Sequence, residues 1–384
     1  MNPPIKVVHS QPIWLPQTAT WIYNQVRFLP PEVTSHIVCD RTENLEQFEL
    51  PNIHALERQP RWRRLVEVRR RRWDASSNLL VRVARRCGAQ VVHSHFGDTG
   101  WRDLSSLRRL RAKHAVTFYG FDVNFLPRSD ARWLRRYALL FERADRILCE
   151  GPHMARCIGA LGCPESKLRV QRLGVAVREI RFEPRRRKPG EPFRILIAAS
   201  FREKKGIPDA IRALAALAPE LPLELTIIGD ADPQPRSQAE KAKILELLDR
   251  HALRTRTRLL GYQSHAVLMR EAYAHHLFLS PSLTASDGDT EGGAPVSLIE
   301  MAASGIPIVS TKHCDIPEVI LDGQTGLLAK EQDVPGLVRH LKWWIDHPTE
   351  WEPMLRAGRR HIEAHFDARE QGRALGRIYA ELLS

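Results

Sequence analysis

Short apolar runs alternate with longer stretches of helical spacing along the whole chain. In the first half this pattern predicts strands at Ile5–Val8, His36–Cys39, Ile53–Leu56, Ala89–Phe96, Ala115–Phe118, Arg146–Cys149 and Leu168–Leu173. Ile22, Val26, Phe28 and Leu29 give one helix among them, and residues 131–143 give another. Residues 183–192, rich in arginine and proline, read as a linker. The pattern then restarts, with strands predicted at Phe193–Ala199, Leu225–Ile228, Arg258–Leu260, Leu277–Leu279 and Ile306–Val309. Helices are predicted over residues 208–217, 237–251, 265–274, 296–304 and from Val334 onward. Strand–helix alternation run through twice predicts an α/β protein of two doubly wound, Rossmann-like parallel sheets. The expected domains are 1–184 and 193–365, joined through 185–192, with a helix over about 366–384 as the candidate to pack back on the first domain. Ligands of such sheets bind beyond the C-terminal strand ends, so two of them facing each other leave a cleft.

The most informative stretch is Asp287 to Val319. It opens with acid and glycine, reaches Pro295, runs as a helix from Val296 to Ser304 and stops at Gly305. A glycine-rich loop feeding a helix N-terminus offers free amides and a positive dipole end to a phosphate. Glu291 and Glu300 bracket that turn. A carboxylate beside a phosphate site accepts hydrogen bonds from hydroxyls, which points to a sugar phosphate or a nucleotide. Neither a GxGxxG fingerprint nor a Walker loop is present, which disfavours a simple dehydrogenase or a P-loop enzyme.

Composition sharpens the picture in two places. The six cysteines are scattered without a CxxC pair, which argues against a disulfide framework or a thiolate metal site and fits a reducing cytosol. No apolar run approaches the roughly 20 residues of a membrane span, and MNPPIKVVHS lacks the apolar core of a signal peptide. The charge is lopsided. Residues 1–188 hold 35 Lys+Arg against 18 Asp+Glu (+17), and the remainder 23 against 27 (−4). A basic first half suggests an anionic partner: nucleic acid, an acidic membrane leaflet or a phosphorylated substrate.

Eight arginines lie between Arg58 and Arg72, interleaved with Trp62, Leu65, Val66, Val68 and Trp73. Such a helix can lie on an anionic bilayer, bind nucleic acid, or simply pack its apolar stripe on the sheet. His93 and His95 share one strand face. The sequence offers no companion ligand for a metal, and a cleft-lining role at a strand end is the better reading.

At these residues the chain resembles the retaining glycosyltransferases of family 4, which have the GT-B architecture of two facing Rossmann-like domains. The stretches that carry the resemblance are SFREKKG, LTIIGD, RLLGY, EGGAPVSLIEMAASGIPIVST, IPEVI and DGQTGLL in the second half. HSHFG, VTFYGFDV and RLGV in the first half look similar to the same enzymes, and PQTATWIYNQVRFLP to exopolysaccharide and lipopolysaccharide members. The resemblance implies transfer of a sugar from a nucleotide-diphosphate sugar, with retention and without a cofactor or an essential metal.

It also implies site roles. Glu291 would hold the donor sugar, Glu300 the ribose hydroxyls and Lys205 the diphosphate, while Tyr262 and its neighbours would receive the base. Around them, Ser200, Gly229, Asp289, Gly292, Gly293, Ala294, Pro295, Val296 and Ser297 form the expected donor-binding set. The chain departs from the family at three points. Glu291 and Glu300 stand one residue further apart than usual, the extra residue falling in Gly292-Gly293-Ala294, with Asp289 as a substitute. Ser200 occupies the place of the usual arginine, which Arg202 could replace, and Tyr119 occupies that of the first domain's cleft histidine. Thr18, His95, Tyr119 and Asp122 are the acceptor-side candidates.

The expected function is therefore a retaining hexosyltransferase of cell-surface glycan synthesis acting on a lipid-linked or saccharide acceptor. The expected place is the cytoplasm, with the inner face of the membrane as a peripheral site and its anionic surface as a partner. A GT-B epimerase or hydrolase of nucleotide sugars, and a nucleic-acid-binding protein using the basic half, are the alternatives. Nucleic acid is not the expected partner, because the arginines lack interleaved stacking aromatics apart from Trp62 and Trp73.

Overall fold

The computed structural model describes residues 3–16, 20–71, 77–188 and 190–384. Fifteen strands occur among them. In the first half these are β1 (Ile5–Ser10), β2 (Ile13–Trp14), β3 (Val33–Cys39), β4 (Arg41–Thr42), β5 (Ile53–Ala55), β6 (Val91–His95), β7 (Lys113–Thr117), β8 (Arg146–Cys149) and β9 (Leu168–Val170). The second half contributes β10 (Phe193–Ala198), β11 (Leu223–Ile228), β12 (Thr257–Leu259), β13 (Leu277–Ser280), β14 (Ile308–Thr311) and β15 (Leu327–Ala329). They form a seven-stranded sheet of order β5-β3-β1-β6-β7-β8-β9 and a six-stranded sheet of order β12-β11-β10-β13-β14-β15, with β2 and β4 as a separate pair. Every pairing is parallel. A parallel sheet is covered on both faces, which is why its strands read as continuous apolar runs. Val7, Val8, Val91, Val92, Ile195, Leu196 and Leu277 to Leu279 are all fully buried or nearly so.

The chain divides into two units, residues 1–176 with 367–384, and residues 177–366. The first is completed by the helix Ala368–Leu383, whose Leu375, Ile378, Tyr379 and Leu382 pack with Val7, Val91, Ala115 and Leu148. The fit is close at Gly372, where a Cβ would lie 2.0 Å from the Phe28 carbonyl oxygen. Val175 and Asp367 pair in a parallel bridge, so the two chain crossings between units lie side by side in the first unit.

The structure changes one reading and removes one alternative of another. The segment around Arg185 is no free linker. The Glu183 amide donates to Ser304 O (3.0 Å), the Arg185 amide to Gly305 O (2.9 Å) and Arg185 Nε to Ala272 O (3.0 Å), so it is packed into the second unit. The helix Arg61–Arg71 does not pack its apolar stripe on the sheet; Trp62, Leu65, Val66 and Val68 are exposed. Trp73 lies outside the described residues.

Candidate functional site

In the second sheet β10 is flanked by β11 and β13, so the strand order reverses between β10 and β13. Loops leaving the C-terminal ends of two such strands diverge to opposite sides and leave a crevice between them. The β10 loop carries Ser200 and Arg202, makes one tight turn at Glu203–Lys205, and enters the helix Ile207–Leu217 through Gly206. Gly206 has φ +62°, and a Cβ there would stand 1.9 Å from the Pro281 carbonyl oxygen of the β13 loop. Gly229, at φ +127°, would place a Cβ 1.9 Å from Ala199 O, and its amide donates to Gly261 O (2.8 Å). Glycine is needed at both places because neighbouring loops approach backbone to backbone.

The β13 loop is then fixed by charge. Lys205 Nζ donates to Glu291 Oε2 at 2.7 Å, and Ser282 Oγ donates to Glu291 Oε1 at 2.7 Å. Burial alone would raise the Glu291 carboxyl, but the ammoniums of Lys205 and Lys204 outweigh it and bring it down to about 2. Lys204 is buried and reaches Asp289 Oδ1 (3.1 Å) and the Thr290 carbonyl (2.7 Å); burial pulls its pKa down against the pull of Glu291. Asp289 is thus held inside the loop by Lys204. The Glu291 amide donates to His313 Nε2 (3.1 Å), and His313 Nδ1 meets Glu331 Oε1 at 2.7 Å. The neutral tautomer with its proton on Nδ1 satisfies both bonds.

Gly292 has φ +81°, and its amide donates to Thr290 Oγ1 (3.1 Å). Gly293, Ala294 and Pro295 then lead into the helix Val296–Ser304, where Val296 and Ser297 supply first-turn amides. Glu300 is buried on this helix and meets His265 Nε2 at 2.9 Å. That hydrogen bond, first, raises the His265 pKa above its ordinary value, against the lowering effect of burial. Tyr262 is exposed at the end of β12, with its hydroxyl donated to Asp230 O (2.8 Å). Arg202 stands in the β10 loop directly before the Glu203–Lys205 turn, and its amide donates to Ser200 O (2.9 Å).

The sequence reading missed Lys204, Ser282, His313, Glu331 and His265. A signal for Lys204 was available in the doubled lysine of SFREKKG. The others come from loops, and His265 from the start of the helix His265–Ala274, whose adjacency follows only from strand order.

In the first unit the expected acceptor-side residues are interior. His95 Nδ1 meets the Tyr119 hydroxyl at 2.7 Å, and that hydroxyl donates to Gln25 Oε1 (2.8 Å). Asp122 accepts the Gly97 amide (2.7 Å) and the Tyr119 amide (3.0 Å), clamping two backbone turns. Burial raises its carboxyl to about 7 in spite of those bonds. Thr18 lies outside the described residues. His9 joins His93 and His95, and their ligand-type nitrogens lie within 4.8 Å of one another. Each ring nitrogen already has a partner. His9 Nδ1 meets His95 Nε2 (3.1 Å), His9 Nε2 meets Ser35 Oγ (3.4 Å), and His93 is bonded by Tyr379 and Thr117 (2.7 Å each). A metal would have to displace these bonds; as it stands the group is a network of neutral imidazoles.

Residues 179–361 match the family described as Glycosyl transferases group 1, and residues 18–179 match Glycosyltransferase Family 4. WcaL of Salmonella typhimurium, named for colanic acid biosynthesis, is 32% identical over 343 residues, covering 86% of this chain and 80% of WcaL. The amylovoran biosynthesis glycosyltransferase AmsK of Erwinia amylovora is 31% identical, covering 77% of this chain and 70% of its own. Among solved structures, the sucrose-phosphate synthase of Thermosynechococcus elongatus aligns with a TM-score of 0.78 at 16% identity, over 99% of both chains. HepE of Anabaena, solved with UDP and glucose, aligns with a TM-score of 0.78 at 14% identity, over 98% of this chain and 99% of its own. At such identities the structural likeness speaks for the fold alone, and the sequence matches speak for kinship. Together they establish that the chain belongs to the family 4 glycosyltransferases and has their GT-B fold.

Proposed function

We propose that the protein moves a sugar from a nucleotide-diphosphate sugar to a lipid-linked or saccharide acceptor, with retention, in the assembly of a cell-surface polysaccharide. The observation that carries this reading is the Lys205–Glu291 pair in the switch-point loops. A cation suited to a diphosphate and a carboxylate suited to sugar hydroxyls lie against each other there. The names of WcaL and AmsK support the polysaccharide context, and the UDP and glucose bound by HepE support the donor class.

In the proposed reaction the bond from the anomeric carbon to the leaving phosphate oxygen breaks, and a bond to the acceptor oxygen forms on the same face. The acceptor's proton passes to the departing phosphate. Lys205, Arg202 and the amides at Val296 and Ser297 stabilise the charge that develops there. Glu291 orients the sugar, with Gly292, Gly293, Ala294 and Pro295 shaping that end of the loop. Glu300 holds the ribose, and Ser200, Gly229 and Tyr262 border the nucleotide. These cations and amides carry the charge stabilisation, so turnover is expected to persist in a chelator.

Thermal shift against UDP, GDP, ADP and their sugars should find one base that raises the melting temperature. Glu300→Ala should weaken every ribonucleotide by about tenfold, the worth of one hydrogen bond to a charged group. Unchanged donor affinity in that variant would remove the assignment. The anomeric configuration of the product, read by NMR, tests retention.

A further inference from the structure

A surface helix ordinarily turns its apolar stripe inward and its charges to water. The helix Arg61–Arg71 does the reverse. Its one acidic residue, Glu67, is 2% exposed and accepts the Asn78 amide through Oε2 at 3.1 Å. Trp62, Leu65, Val66 and Val68 are 62%, 70%, 45% and 55% exposed. These four are nearly half of the nine exposed large hydrophobics among the described residues, gathered on one helix. Trp62, Leu65 and Val66 lie at spacings of three and four and so adjoin on one face. Arg61, Arg64 and Arg69 are exposed beside them, and the Arg63 guanidinium lies 4.9 Å from the centre of the Trp62 ring. The outward surface thus carries apolar and cationic side chains together, Arg61 and Arg69 lying among the four apolar residues, and the described residues of the helix include no exposed acid.

We propose that this face docks on an anionic lipid bilayer, with Trp62, Leu65, Val66 and Val68 in the acyl boundary and the arginines at the headgroups. An anionic membrane interface is apolar inside and negative outside, which matches both parts of the face. Nucleic acid would satisfy the arginines and leave the aliphatic side chains in water. A second copy of the same face would set arginine against arginine. The helix lies on the surface; among the described residues no helix is long and apolar enough to cross a membrane.

The test is flotation of the full chain with phosphatidylcholine vesicles, with and without about a third phosphatidylglycerol. It needs no donor and is scored separately from transfer, so its failure leaves the proposed reaction standing. The expected result is binding to the anionic vesicles alone, weakened by salt. Leu65→Glu with Val68→Glu should lower binding at least tenfold, and Arg64→Glu with Arg69→Glu should do the same. All four positions are exposed, so the melting temperature should hold. Equal recovery with neutral and anionic vesicles, or wild-type binding by Leu65→Glu/Val68→Glu, overturns the proposal. So does a dimer in sedimentation that this same variant dissolves, since the face would then belong to a second copy.

Discussion

Lys204 and Lys205 are adjacent in sequence and serve different ends. Lys205 holds Glu291 toward the crevice loops, whereas Lys204 is sealed against Asp289, with side chains only 11% and 4% exposed. Removing one partner of a buried pair strands the other charge, at a cost of about 3–5 kcal/mol. Lys204→Met should therefore lower the unfolding free energy of the second unit, read from urea denaturation, by that amount, and adding Asp289→Leu should restore most of it. Lys205→Ala should instead show mainly in donor affinity, because Glu291 keeps Ser282 and Lys204 nearby. Glu291, Glu300 and Lys205 were legible from the sequence because a loop, a proline and a helix start set their context. His313, Glu331 and His265 were not. Their partners arrive from other loops, and the sequence does not say which strand lies beside which.

The helix Ala368–Leu383 supplies part of the first unit's core and a hydrogen bond to a buried imidazole. Tyr379→Phe leaves His93 Nδ1 without that partner, and should cost about 1–3 kcal/mol in chemical denaturation of the first unit. Strand–helix alternation foretold both sheets, since a buried parallel strand advertises itself as an apolar run. It misjudged the ends. β3 begins at Val33, three residues before the predicted His36, because Thr34 and Ser35 break the apolar run, and β9 stops at Val170, short of Leu173. The orientation of Arg61–Arg71 was illegible for a different reason. Its apolar and basic residues both recur at helical spacing, and the contact that decides which side turns inward runs from Glu67 to the Asn78 amide.

For the molecule as a whole, acid should act on both units and more on the first, which among the described residues holds six imidazoles lowered by burial against three in the second, His275, His276 and His340. Burial holds His9 down at about 3 and His114 at about 4, and lowers His93 and His95 well below their ordinary value; His36 and His54 shift the same way. The unfolded chain binds these protons near pH 6.5, so this stability is present above that pH and is lost as pH falls toward the folded values. Asp122 and Asp98, raised by burial, oppose the trend, because their contribution fades as pH rises from the carboxylate range. Six imidazoles outnumber two carboxyls, and the melting temperature should fall between pH 6.5 and 4.5. The double crossing of the chain has a consequence of another kind. During synthesis, residues 177–366 emerge as an uninterrupted block while the earlier sheet still lacks Leu375, Ile378, Tyr379 and Leu382. Translation thus reverses the usual order in which the earlier part of a nascent chain settles first. The core of the basic half stays open on one side until the last helix of the chain has emerged.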